Sequence, residues 1–219
     1  MLFRSKSLRA LRIGSSPVDT LARISSCTQL RTLDLGERVD VTALASFAKL
    51  RVFRAKTTTG LATFSRFTDL PDLRVIEVGE SDITDQVLIQ MKPLHELRKI
   101  ALNSESIGNT GFALLRNFPK LQWLTLTGDF NRKGAPTEVV LAEVATLSDL
   151  RTLLLPVSSD PWKSAGLSAR SLNVLRPLKE LRVLRFAVDL QLDPNGSAKS
   201  AACHMLNAQL PHAPCTTRQ

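Results

Sequence analysis

Along the chain, a six-residue pattern (apolar-x-x-apolar-x-apolar) begins at Leu8, Leu30, Leu50, Leu73, Leu97, Leu121, Leu150 and Leu181. With that Leu as position 0, positions 3 and 5 carry Leu11/Ile13, Leu33/Leu35, Phe53/Ala55, Ile76/Val78, Ile100/Leu102, Leu124/Leu126, Leu153/Leu155 and Leu184/Phe186. Alternation over so short a run predicts a strand with one buried face. Upstream the period changes to three: Leu88, Met91 and Leu94 precede Leu97; Phe112, Leu115 and Phe118 precede Leu121; Leu172, Leu175 and Leu178 precede Leu181. A three-residue apolar step predicts the buried stripe of a short helix or 3₁₀ segment. Asp40, Thr84 or Asp85, Thr110 and Ser168 stand where helix N-caps are expected, and Pro93, Pro119 and Pro177 lie near helix ends.

Each strand is too short to stand alone, so the copies must stack, with strands on one side and helices on the other. The repeat spacings are 22, 20, 23, 24, 24, 29 and 31 residues. The growth comes from two insertions, Gly128 to Pro136 and Pro156 to Gly166, expected as loops on one face. The L-x-x-L-x-L runs, clearest at Leu30-Leu33-Leu35, Leu121-Leu124-Leu126 and Leu150-Leu153-Leu155, resemble the leucine-rich repeat family. The turn Ser81 to Asp85 leading to Leu88 looks like the helical subclass of ribonuclease-inhibitor-like and F-box-associated arrays. The resemblance covers about residues 2–190. It implies an α/β leucine-rich-repeat solenoid with about eight repeats: a curved parallel sheet on the concave side and short α or 3₁₀ helices on the convex side. In one respect the chain departs from the family. The position of the Asn ladder, three past position 5, holds Ser16, Arg38, Thr58, Ser81, Glu105, Asp129, Ser158 and Asp189. Without Asn side chains to satisfy backbone groups, the turns are expected to be less regular.

Residues 1–190 are therefore expected to form the repeat domain and 191–219 a tail. In the tail, Met205, Leu206 and Leu210 would face inward from one short capping helix, and residues 211–219 would be disordered. No polar cap precedes the first repeat, which suggests that this end packs on further repeats or on another chain. No window of about 20 apolar residues exists, so no membrane span is expected. Residues 1–18 contain Arg4, Lys6, Arg9 and Arg12 and no acid in Met1–Val18, as a mitochondrial presequence would, but Leu8, Leu11 and Ile13 already belong to the first repeat. Three cysteines (Cys27, Cys203, Cys215) with no flanking cluster point to a reducing, intracellular compartment, the cytoplasm foremost. Cys27 occupies an apolar repeat position, where a thiol acts as a small hydrophobe.

Positions 2 and 4 of each strand point away from the core onto the shared sheet face. Position 4 reads Arg12, Asp34, Arg54, Glu77, Ala101, Thr125, Leu154 and Arg185. Its first four members alternate in sign and, on strands about 4.8 Å apart, can pair. Position 2 reads Ala10, Thr32, Val52, Val75, Lys99, Trp123, Thr152 and Val183, mostly the β-branched residues of a solvent-facing strand. Trp123, flanked by Lys99 and Thr125, is either an exposed aromatic anchor in mid-surface or a side chain partly covered by the 128–136 loop. The candidate contact set for a protein partner is Trp123, Lys99, Thr125, Arg98 and Leu154, with Trp162 and Phe130 from the loops.

Position 1 is basic in seven repeats: Arg9, Arg31, Arg51, Arg74, Arg98, Arg151 and Arg182, with Gln122 the exception. With a net charge of +9 and a pI near 10.0, this row suits a polyanion, either nucleic acid or acidic protein. Against it, Asp72, Glu96, Asp149 and Glu180 precede position 0 and can pair with the arginines, and no aromatic side chains interleave the row. His95 has no Cys or acid arranged around it for a catalytic triad. Cys203, His204, His212 and Cys215 have zinc-ligand types but irregular spacing. No phosphate-binding glycine loop is present. The reading is thus a non-enzymatic module without metal or cofactor. It would hold side chains rigidly for a protein partner, with polyanion binding through the arginine rim as the alternative.

Overall fold

A computed structural model of the chain describes residues 5, 7–14, 17–36, 38–56, 58–59, 66–78, 83–103, 106–127, 137–157 and 173–188. Its strands are β1 Ala10–Ile13, β2 Thr32–Leu35, β3 Val39–Asp40, β4 Val52–Ala55, β5 Thr58–Thr59, β6 Val75–Glu77, β7 Lys99–Asn103, β8 Trp123–Thr127, β9 Thr152–Val157 and β10 Val183–Val188. Eight of them form one sheet in the order β1-β2-β4-β6-β7-β8-β9-β10, parallel throughout, and β3 pairs with β5 beside it. The register runs Ala10, Thr32, Val52, Val75, Lys99, Trp123, Thr152, Val183 across the sheet, so the repeat positions of the sequence stay aligned from end to end.

Successive one-turn hydrogen bonds generate the three-residue apolar step. Phe118 N–H donates to Leu115 and Leu121 N–H to Phe118; Leu94 does so to Met91 and Leu97 to Leu94; the same pairs recur at Leu44-Phe47-Leu50 and Leu175-Leu178-Leu181. Each bond spans three residues, so every third side chain returns to the same side, and all of these side chains are buried. A further ladder ties the repeats together at position 1. The carbonyl of Arg9 accepts the N–H groups of Arg31 and Thr32, that of Arg31 those of Arg51 and Val52, and the arrangement continues through Arg51, Arg74, Arg98, Gln122 and Arg151 to Arg182 and Val183.

The other side of the layer varies with repeat spacing. Among the described residues the three short units carry α1 (Thr20–Arg23) and 3₁₀ turns at Leu44–Ser46 and Phe67–Asp69. The longer ones carry α2 (Asp85–Met91), α3 (Asn109–Ala113) continuing into the 3₁₀ turn Leu114–Asn117, and α4 (Thr137–Val144). Between sheet and helices lies one continuous core, filled from the second repeat onward by the described position 0, 3 and 5 side chains and by Phe47, Phe67, Phe112 and Phe118. Cys27 is a buried free thiol in that core. Leu11 and Ile13 are only partly buried, because among the described residues no strand lies beyond β1.

Three expectations need correction. Asp40 caps no helix: it lies in β3, and Ala43 stands at the start of the 3₁₀ turn Leu44–Ser46. Thr110 does not cap α3: Gly108 occupies the cap, and Thr110 lies inside the helix. There its hydroxyl donates to Asp85 Oδ2 at 2.7 Å while Gly108 N–H donates to Asp85 Oδ1 at 2.8 Å, so the cap comes from the neighbouring repeat. The second insertion does not begin at Pro156, since Pro156 and Val157 still belong to β9 and pair with Ala187 and Val188. At one of the Asn-ladder positions Arg38 takes a left-handed backbone (φ 57°), and β3 and β5 pair in the turns that follow β2 and β4. The tail, the 128–136 loop and Ser168 lie outside the described residues.

Candidate interaction surface

The open face of the sheet divides by charge. On its first half the alternating position 4 column pairs: Arg12 Nε donates to Asp34 Oδ2 at 2.9 Å, and Arg54 Nε donates to Glu77 Oε2. Lys99, at position 2 on the next strand, reaches back to Glu77 Oε1 at 2.6 Å, so Glu77 bridges two cations. Burial pushes the Glu77 carboxyl up, but hydrogen bonds and charge from Lys99 and Arg54 outweigh it and leave the group below the usual glutamate value.

Lys99 does double duty. Its Nζ also stands over the Trp123 ring, 4.2 Å from the centroid, within the range of a cation–π contact. The indole Nε1–H donates to Thr125 Oγ1 at 3.1 Å along the same strand. The ring is therefore fixed from one face by a cation and at its edge by a hydroxyl, yet Trp123 remains 37% exposed. Few large hydrophobic side chains among the described residues are so exposed, and the others (Val18, Ile89, Val139) lie outside the main sheet. The 128–136 loop, which the other sequence reading places over Trp123, lies outside the described residues.

On β9 the register sets Thr152 opposite Trp123 and Leu154 opposite Thr125. Leu154 is half-buried. Thr152, expected to face solvent, is buried (8% exposed); it is flanked by Trp123 on one strand and Val183 on the other. From β8 to β10 the face is thus uncharged, with Trp123, Thr125, Thr152, Leu154 and Val183, until the exposed Arg185. Arg98 is exposed at the edge of the same patch. Trp162 and Phe130 lie outside the described residues, so the structure brings together Trp123, Lys99, Thr125, Arg98 and Leu154 of the sequence-derived set. What the sequence reading missed was Glu77 as the group that holds Lys99; its place in the alternating column was the available signal.

The rim arginines form one row along the ladder, one strand apart except where Gln122 stands between Arg98 and Arg151. Of the four acids expected to pair with them, one lies beside a rim arginine among the described residues. Glu96 pairs with Lys120 rather than with an arginine, and the Lys120 hydrogen bond holds its carboxyl below the usual value, with weaker attraction from Arg74 and Arg98. Glu180 lies 3.9 Å from Arg182, and Asp72 and Asp149 form no ion pair among the described residues. His95 is exposed, and no group of three or more His, Cys, Asp and Glu that could hold a metal occurs among the described residues. Cys203, His204, His212 and Cys215 lie outside them. Among the described residues no helix is long and apolar enough to cross a membrane.

No protein-family model matches this chain, and no curated protein matches it. Solved structures do. A leucine-rich-repeat protein of Leptospira interrogans aligns over 97% of this chain at 15% identity with a TM-score of 0.52. An internalin of Listeria monocytogenes aligns over 97% at 16% identity with a TM-score of 0.51. The chain spans 49% of the first and 62% of the second, so it matches about half to three-fifths of each. At these identities the likeness is one of architecture, and together with the eight-stranded parallel sheet and its in-register repeats it establishes the fold as an α/β leucine-rich-repeat solenoid.

Proposed function

We propose that this chain is a non-enzymatic protein-interaction module whose contact surface is the open sheet face centred on Trp123. The supporting observation is the pre-ordered aromatic: Trp123 keeps an exposed ring while Lys99 and Thr125 fix its orientation. Ordering a flexible side chain on binding costs about 0.5–1.5 kcal/mol, and here most of that cost is already met in the free protein. Exposed aromatics with a cation beside them are frequent binding hot spots. Lys99, Thr125, Arg98 and Leu154 complete the patch, with Trp162 and Phe130 as further contacts from the insertions. The fold relationship is consistent with this reading. The ribonuclease-inhibitor-like subclass is supported by α2, α3 and α4 in the longer repeats, and a cytoplasmic location by the cysteine usage.

The test is capture of partners from lysate at about 0.15 M salt, where surface charges are screened beyond roughly 8 Å. Wild type is compared with Trp123→Ala and Lys99→Glu. The expected outcome is a protein retained by wild type and lost from both variants. A protein retained equally by all three overturns the reading.

A further inference from the structure

The basic row at the strand entrances is unevenly balanced. Just before position 0, the residues along the sheet are Ser7, Gln29, Lys49, Asp72, Glu96, Lys120, Asp149 and Glu180. Beside Arg9, Arg31 and Arg51 this column contains no acid. It adds a cation instead, Lys49, whose Nζ donates to the neutral Gln29 Oε1 at 2.7 Å. Asp72, on the strand of Arg74, makes no ion pair among the described residues; farther along, Glu96 is taken by Lys120 and attracts Arg74 and Arg98 more weakly, while Glu180 lies beside Arg182. The acids of the adjacent sheet face, Asp34 and Glu77, are already engaged by Arg12, Arg54 and Lys99. Arg31, Lys49, Arg51 and Arg74 therefore form a run of cations on consecutive strands, and none of them makes an ion pair among the described residues.

A second observation falls at the centre of this run. Arg51 and Arg74 are half-buried, and the Nε of each is a buried atom with no hydrogen-bond partner. Because both Nε atoms are closed to solvent, each guanidinium is held from its inner side, and an anion laid along the row would meet its terminal nitrogens rather than Nε. The backbone cannot serve such a ligand, because the N–H groups of Arg31, Arg51 and Arg74 already donate to the preceding strand. Recognition must come from side-chain forks, which match carboxylates in pairs. Nothing aromatic occupies position 1 to stack bases, which disfavours single-stranded nucleic acid.

We infer that Arg31, Lys49, Arg51 and Arg74 form a second binding site, distinct from the Trp123 patch, that takes an acidic polypeptide segment along the N-terminal half of the rim. The row spacing of about 4.8 Å lets neighbouring forks engage carboxylates from one extended or helical segment.

The experiment titrates the full chain with poly-glutamate of about twenty residues and with a single-stranded oligonucleotide of matched charge, at two salt concentrations. Wild type should bind poly-glutamate saturably and more tightly than the oligonucleotide. Arg51→Gln/Arg74→Gln should weaken binding about tenfold or more. Arg31→Gln/Lys49→Gln, on exposed side chains that the fold does not need, should do the same. Arg151→Gln/Arg182→Gln should change it less than about threefold, and Trp123→Ala should leave it intact, which separates this site from the sheet-face patch. Failure of wild type to bind poly-glutamate, tighter binding of the oligonucleotide, or equal loss from variants at the two ends of the row would each overturn the assignment.

Discussion

Two single residues show how differently core and surface positions carry the structure. Leu124 is fully buried between its register partners Ile100 and Leu153 on the flanking strands. Leu124→Ala should cost about 2–5 kcal/mol, read as a lower denaturant midpoint, because the strand ladder on both sides limits collapse of the cavity. Unchanged stability would refute the register. Glu77 works through charge instead. Its depressed pKa means that its contribution is present above the unfolded-state value, near 4.3, and is lost as pH falls through the folded value. Glu77→Gln should therefore destabilise by about 1 kcal/mol at neutral pH, and the gap to wild type should close in acid. A gap that stays constant from pH 7 to pH 3 would assign the effect to packing rather than charge. The sign alternation of Arg12, Asp34, Arg54 and Glu77 was legible in the sequence. The division of Lys99 between Glu77 and the Trp123 ring was not, because it depends on which rotamer each long side chain adopts across strands some two dozen residues apart.

At the scale of elements, repeat spacing decides what covers the sheet. Among the described residues, units of 20 to 23 residues carry a 3₁₀ turn or a single helical turn, whereas those of 24 and 29 carry α2, α3 and α4. The sequence showed the three-residue step but not this distinction, since one-turn hydrogen bonds and a short α-helix bury the same stripe. It also misplaced the α3 cap, because a cap supplied by Asp85 from another repeat leaves no local signature. Pro156 read as a loop start because proline lacks a ladder donor, yet it is accommodated within β9. The Asp85 contact makes Gly111 necessary: a Cβ there would lie 2.2 Å from Asp85 Oδ1 and 2.5 Å from Ile107 Cγ2. Gly111→Ala gains helix propensity, but it must displace a carboxylate held by two hydrogen bonds and a fully buried Ile107. A net loss of about 1–3 kcal/mol is expected in chemical denaturation. Gly111→Ala in an Asp85→Ala background should recover part of it, and no recovery would place the clash on Ile107 alone.

For the whole molecule, eight copies of one pattern make the architecture readable in the sequence, because a repeat that cannot bury its own face constrains every neighbour to the same register. The interaction surface was readable only as columns; which column members pair, and which stay open, is decided by contacts between repeats. The same nearest-neighbour logic predicts a gradient of stability. Interior strands such as β7 and β8 are paired on both edges, and their Ile100 and Leu124 side chains are fully buried. Among the described residues β1 is paired on one edge, and Leu11 and Ile13 are only partly buried. An edge strand leaves a row of backbone groups unpaired and loses half of its stacking. In native-state hydrogen exchange, amides of β1 should therefore open by local unfolding and exchange at least about tenfold faster than those of β7 and β8. Leu124→Ala should then speed exchange most in β7 to β9, with a weaker effect in β1. If every strand exchanged at one rate and responded equally, the sheet would unfold as a single cooperative unit, and contact with the adjacent repeat would not set the stability of each strand.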